Sequence, residues 1–501
     1  MAHVATLEII LLLLAASAGL ELLARRIRVP RPTLLVCGGL LLALAPGLPV
    51  LPLDPELYFL IFIPPLLYWN ASSTSLRDLR ANFAFISLLA FGLVIVTVCA
   101  VAVVAHSFTP KMTWASAFTL GAVVSPPDVI AATAVTSRFH VTASINAILG
   151  GEGMLNDATA LVAYRMAVPA QISGRFSASH AMLQLLLSGG GGIVIGIFIG
   201  WLVTLLRGAI EKSPAVDNTI SLLTPFIAFI AAERLRSSGI LSVVTAGLYV
   251  GRQASRILSA QTRVQARSMW TVVAFLLEGL VFIITGLELP LVWHAVRFYG
   301  LWPAVAYTLI ISAVCIVTRL VWVFASTYLP RLLRRQRSAR PSWRATLFIG
   351  WAGIRGADSL VIALALPRPF SARALIIFIT FGVILVSLIV QGITLEPLIR
   401  LLGLGGDDAE LLEERQAQRR AVAAGVKRLE KERGAIANDM RDRYAHRDEQ
   451  QEYRRLRRTM LQGEREELIR LRDENVISDA VLHRLEADLD FEEMLLGESE
   501  S

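Results

Sequence analysis

Cysteine is scarce in this chain: three residues in 501, Cys37, Cys99 and Cys315, each inside an apolar stretch and at unrelated spacings. That leaves no disulfide framework and no cysteine metal motif, so they read as small core hydrophobes. Acidic residues are thin over the first 404 positions, which hold about fifteen of the 40 in the chain. No G-x-S-x-G, H-E-x-x-H or Ser/His pair falls within an apolar run, which argues against an intramembrane hydrolase. No ATP-binding motif is present, and the tetraglycine at 189–192 follows no strand, so any drive must come from a gradient. No filter-like motif points to a channel. The first residues lack the basic stretch of a cleavable leader. Arg25, Arg26 and Arg28 follow the first apolar run instead of preceding it.

Long apolar runs are what the sequence has. Hydrophobic residues make up 55% and mean hydropathy is +0.59, the composition of a membrane protein. An all-α polytopic membrane protein is expected, with a transmembrane domain over 1–404 and a charged, helical, cytosolic tail over 405–501. About thirteen spans are read, at 5–24, 32–47, 55–70, 82–107, 113–136, 142–170, 181–206, 216–235, 238–253, 265–288, 299–329, 343–366 and 371–402. Alternate loops hold about 19 Lys/Arg and the others about 7, which puts the N-terminus outside and the tail in the cytosol; a cell inner membrane is the expected location. The net charge of +8 is then topology-setting loop charge and not a nucleic-acid footprint.

Seven spans separate the first from the eighth, so equivalent helices of two halves run in opposite directions. This permits an inverted repeat in which span 5 pairs with span 12. Both carry helix breakers near their middle: Ser125-Pro126-Pro127-Asp128 and Gly353-Ile354-Arg355-Gly356. Matching breakers in two halves are a sequence pointer to a transport site, because the backbone groups they free must line a cavity.

The acids sort by depth. Glu8, Glu21, Asp54, Glu56, Asp78, Glu211, Asp217, Glu233, Glu288 and Glu396 fall near predicted span ends and are expected to be solvated. Asp128, Glu152, Asp157, Glu278 and Asp358 remain. Asp157 follows Asn156 in mid-span, where an ionisable group is costly unless it is paired, hydrated or functional. A cation ligand that takes a proton when the cation leaves fits that position. Asn156 can hydrogen bond beside it without adding a second titrating charge. Asp128 closes a break where two prolines expose backbone oxygens, including those of Val124 and Ser125, and hard cations want oxygen ligands. Arg355 and Glu278 are expected to form a balancing ion pair. Glu152, one turn before Asn156, is expected to line a water-filled funnel or to be paired. Asp358, on the face of Arg355, is expected to pair with it.

At these residues the chain resembles the monovalent cation/proton antiporter-1 family, which includes sodium/proton antiporters and exchangers. The resemblance rests on P-P-L-L-Y at Pro64 to Tyr68, S-P-P-D at Ser125 to Asp128, G-E-G-M-L-N-D at Gly151 to Asp157, the stretch around Glu278, and G-I-R-G at Gly353 to Gly356. It implies two crossing discontinuous helices, a homodimer, and an ion site with Asp157 central and Asp128, Asn156, Pro127 and Ser125 around it. It implies exchange of sodium, lithium or potassium for protons, one for one given the asparagine-aspartate pair, and no cofactor. Relatives often carry serine where this chain has Gly153, an acid where it has Trp69-Asn70, and a neutral residue where it has Asp358. A carrier of another substrate, such as an organic anion served by Arg355, is the alternative; a cation channel is a weaker one.

Gly192, Gly196 and Gly200 form a double G-x-x-x-G, read as close helix packing. His106, His140 and His294 fall near span ends. The tail's apolar stripe, Val476, Val481, Leu485, Leu489 and Leu495, fits either a solvated extension or a regulatory or dimer-contacting segment.

Overall fold

A computed structural model describes residues 2–27, 29–44, 55–109, 112–128, 132–133, 136, 141–173, 178–209, 213–258, 260–288, 300–333, 342–367 and 369–404, with 457, 461, 464, 489, 491 and 492 of the tail. His140, His294, Asp54, Glu211 and most of the tail stripe lie outside them. The chain divides into two units, 1–407 and 408–501.

The first unit is helical. Its elements are α1 (Ala2–Ile27), α2 (Arg31–Ala43), α3 (Pro55–Ile61), α4 (Ile63–Ser73), α5 (Leu76–Ala81), α6 (Phe83–Ser87) and α7 (Val94–Phe108). They continue with α8 (Trp114–Val124), α9 (Ala143–Ser173), α10 (Ala178–Ala209), α11 (Pro214–Arg234), α12 (Gly239–Ile257), α13 (Ala260–Leu287) and α14 (Leu301–Leu333). The series ends with α15 (Trp343–Trp351), α16 (Ala357–Leu364), α17 (Arg373–Val386) and α18 (Ile393–Leu402). Wider, π-helical turns join α6 to α7 over Leu88–Leu93 and α17 to α18 over Ser387–Gly392. Helix lies in each of the thirteen expected segments. Among the described residues, six stretches are long and apolar enough to cross a bilayer on length and composition alone.

Two of the segments are broken where the prolines and glycines stand. Thr113 caps α8 through the Ser116 amide at 3.2 Å, and the helix stops at Val124, before Pro126 and Pro127. Ser342 caps α15 in the same way through Ala345, also at 3.2 Å. That helix stops at Trp351, and α16 restarts at Ala357 behind an extended Gly356. The principal core lies where α8, α15, α16 and α17 meet, with Leu120, Val124, Phe348, Ile354, Leu360 and Ile376 buried together.

Small residues set the closest helix approaches. Gly192 meets the Ser238 carbonyl of α12's cap, Gly196 the Ser242 carbonyl, and Gly200 the Tyr249 side chain, so the glycine stripe of α10 packs on α12. The opposite face of α10 is apolar and exposed at Leu186, Val194, Phe198 and Leu205, a surface suited to lipid. In the second unit, Arg457 reaches Glu492 at 2.7 and 2.8 Å and Glu464 at 3.0 Å. Hydrogen bonding from Arg457 holds the Glu492 carboxyl below its ordinary range.

Candidate functional site

The two breaks touch. The Asp128 amide donates to the Ile354 carbonyl at 2.7 Å, so residue 128 of one interrupted helix is tied to residue 354 of the other. Gly356 lets them close, because a Cβ there would run into the Asp128 carboxylate. Two further side chains hold the second break. Ser387 accepts the Arg355 amide at 2.9 Å, and Gln391 donates to the Trp351 carbonyl at 2.8 Å. Both stand on the π-helical turn after α17, whose extra width is a common device for aiming side chains at a site.

A small cavity of about 20 Å³, enough for one water or a bare cation, lies at this crossing. Leu67, Asn70, Pro127, Asp128, Gly150, Gly153, Met154, Asp157 and Asp358 line it. Helix α9 supplies Asp157 and the glycines, the first break supplies Asp128 and Pro127, and α16 supplies Asp358. The Asn156 amide nitrogen donates to the Pro127 carbonyl at 3.1 Å, fixing α9 to the break. Asn156 is fully buried and its side-chain oxygen has no hydrogen-bond partner among the described residues, but it does not line the cavity. Ser125 is buried with its hydroxyl donated to Ala122 at 3.1 Å. It does not line the cavity.

Three expectations need correction. Glu278 does not pair with Arg355. It accepts from Arg31 at 3.3 Å, and Arg31 also reaches Glu21 at 3.4 Å and donates to the Phe275 carbonyl at 2.6 Å. The reason is direction: α13 packs along α2, so Glu278 faces the start of α2, whereas Arg355 turns toward α14 and α17. Of the two readings of Glu152, funnel or pair, the funnel is corrected and the pair holds. Glu152 is 1% exposed and forms a two-pronged pair with Arg319, one arm at 2.8 Å, and Arg319 also donates to the Ile349 carbonyl at 3.1 Å. Gly353 makes room for that guanidinium, since a Cβ there would strike it. Asp358 faces the ion cavity and not Arg355, which lines a separate cavity of about 10 Å³ with Ser312, Cys315, Ser387 and Gln391. Two carboxylates near span ends also depart from the solvated reading, Glu21 and Glu288, which are buried. Glu233 and Glu396 keep partly exposed pairs with Arg165 at 3.2 Å and Arg400 at 2.8 Å.

Sequence reasoning missed Arg319, Arg31 and Tyr58. A survey of acids alone passes over Arg319, yet a lone arginine inside the run Cys315 to Val323 carries the same signal as a lone acid. Tyr58 has no such signal.

The profile of the sodium/hydrogen exchanger transmembrane family matches residues 10–401. An uncharacterized Na(+)/H(+) exchanger of Mycobacterium tuberculosis is 34% identical, over 98% of this chain and 96% of its own length. A sodium, potassium, lithium and rubidium/H(+) antiporter of Bacillus pumilus is 33% identical over 78% of this chain and 60% of its own. A low-affinity Na(+)/H(+) antiporter of Synechocystis is 30% identical over 83% of this chain and 79% of its own. The solved sodium proton antiporter of Methanocaldococcus jannaschii shares the fold with a TM-score of 0.63 at 18% identity, over 80% of this chain and all of that one.

Proposed function

The chain belongs to the sodium/hydrogen exchanger family, and from that membership we propose that it exchanges sodium for protons by alternating access, with Asp157 holding one or the other at each turn. It is a multi-pass membrane protein, and cation/proton antiport is the activity that the family carries. The observation that carries the finer reading is the cavity at the crossing of the two broken helices, which Asp157 and Asp128 both line, with Asn156 tying α9 to the Pro127 carbonyl of the break. A carboxylate there binds a metal ion or a proton, and charge disfavours both together. Exchange follows if only a neutralised site crosses, whether neutralised by cation or by proton. With Asp157 as the only exchanging group, one proton crosses per cation.

The range of cations is broader in this reading than sodium alone. The Bacillus pumilus relative, named for sodium, potassium, lithium and rubidium, supports including lithium and potassium. In this reading the protein acts as a homodimer of the inner membrane with the N-terminus outside and the tail in the cytosol. A fluorescent reporter fused to the C-terminus must then light up inside the cell, and darkness there with a periplasm-active reporter lit would reverse the orientation.

The test of Asp157 is transport in proteoliposomes. The wild type should collapse an imposed pH gradient on addition of sodium, and Asp157→Asn should abolish this while keeping its elution profile in detergent. Robust exchange by Asp157→Asn would remove Asp157 from the mechanism.

A further inference from the structure

We infer that Asp358 is a direct ligand of the transported cation, closing the side of the cavity that Gly153 leaves bare. The inference rests on the antiport reading and deepens it. A hard cation is held by several oxygens at once. Helix α9 turns Gly150, Gly153, Met154 and Asp157 toward the cavity, and of these only Asp157 brings a side-chain oxygen. Leu67 and Pro127 bring none. Side-chain oxygens therefore come from Asn70, Asp128, Asp157 and Asp358, and Asp358 is the one delivered by α16.

A structural carboxylate at this depth would be expected beside a guanidinium or ammonium group. Among the described residues, no cationic side chain lines this cavity. The buried charges around it are committed elsewhere. Arg319 grips Glu152, Arg31 grips Glu278, and Arg355 lines the other cavity. Asp358 and Asp157 line the same small space, where like charges repel, and a cation held between them relieves that repulsion, as a proton does when the cation leaves.

Two buried polar atoms belong to residues beside those that line the cavity, though neither residue lines it. The Tyr58 hydroxyl is in a side chain 2% exposed, has no hydrogen-bond partner among the described residues, and lies where the charges of Asp358 and Asp128 both act on it. The Asn156 oxygen is the second, equally without a donor. Protein interiors rarely leave such atoms unused.

The test compares wild type, Asp358→Asn and Asp358→Glu in proteoliposomes, with sodium, lithium and potassium chloride each titrated against a fixed pH gradient. Asp358→Asn should raise the KM of the preferred cation at least tenfold, with a smaller change in maximal rate. It should also lose the thermal stabilisation that the same cation gives the purified wild type in detergent. Asp358→Glu keeps the charge but displaces the oxygens, so it should change the ratio of KM values among the three cations. Unchanged KM and ratios in both variants would overturn the assignment while leaving antiport standing. Should Asp358→Asn fail to fold, an unchanged ratio in Asp358→Glu overturns it alone. A wild type that moves no protons with any of the three salts would instead sink the antiport reading itself.

Discussion

At the residue scale, the interior of this protein is governed by where each charge finds its opposite. The Glu152–Arg319 pair is the clearest case, with both side chains almost fully buried and hydrogen bonded in two places. Such a pair adds little net stability over a well-packed apolar one, because both charges had to be taken out of water. Removing one partner is a different matter. Glu152→Gln strands the Arg319 guanidinium and should cost about 3–5 kcal/mol. The expected result is a sharp fall in the yield of monodisperse protein and in its melting temperature. Replacing both residues at once, Glu152→Leu with Arg319→Leu, should recover most of that loss. If the double variant is no more stable than Glu152→Gln alone, the pair is not the source of the effect. Arg355 differs in kind: its Nε and Nη1 have no hydrogen-bond partner among the described residues, and its guanidinium lies against Cys315. Its cavity is wide enough for at most a single water, which would satisfy what the protein leaves open.

At the scale of elements, the two broken helices do what continuous ones could not. A helix in lipid hides its polar backbone, so breaks are tolerated only where protein or a cavity covers the freed groups. Here each break covers the other, through the Asp128 amide and the Ile354 carbonyl. Gly356 is the contact point, so Gly356→Ala should push the Asp128 carboxylate out of the cavity. That should cost about 1–3 kcal/mol of stability and most of the transport rate. Gly19→Ala, where a Cβ meets nothing within 4 Å, is the control and should leave both intact. Equal transport by the two variants would show that the breaks do not need this close approach. The breaks themselves were legible, since Pro126-Pro127 and the Gly353/Gly356 pair interrupt apolar runs at matching places. The meeting of Asp128 and Asp157 was legible for the same reason. Partner choice was not. Helical spacing tells which residues share a face but not the neighbour that face meets, so it does not choose between Arg355 and Arg31 for Glu278, and α2 brings Arg31. The π-helical turn that aims Ser387 and Gln391 at the second break also left no mark in the pattern, because one extra residue in a helical turn does not disturb an apolar run.

At the scale of the whole molecule, the proposed exchange asks one cavity to serve both membrane faces, and in that proposal the coupling of two flows reduces to competition for one set of oxygens. If the proton and the cation displace each other at Asp157, the apparent KM for the cation must depend on pH with a fixed sign. Acidification fills the site with protons, so KM rises as pH falls, approaching roughly tenfold per pH unit well below the pH at which the site titrates. Above that pH, KM levels off at the cation's own dissociation constant, while the maximal rate falls because the protonated form needed for the return step becomes scarce. The two limits together give a bell-shaped rate at fixed sodium, and raising sodium should move its acid limb to lower pH. A separate regulatory proton site would behave differently. It would cut the maximal rate on one side and leave the acid limb in place however much sodium is added. Sodium titrations in proteoliposomes between pH 5.5 and 9, with the same pH on both sides and exchange followed by isotopic sodium, distinguish these. An acid limb that stays fixed across a hundredfold range of sodium would exclude shared occupancy of the cavity, and with it the role assigned to Asp157.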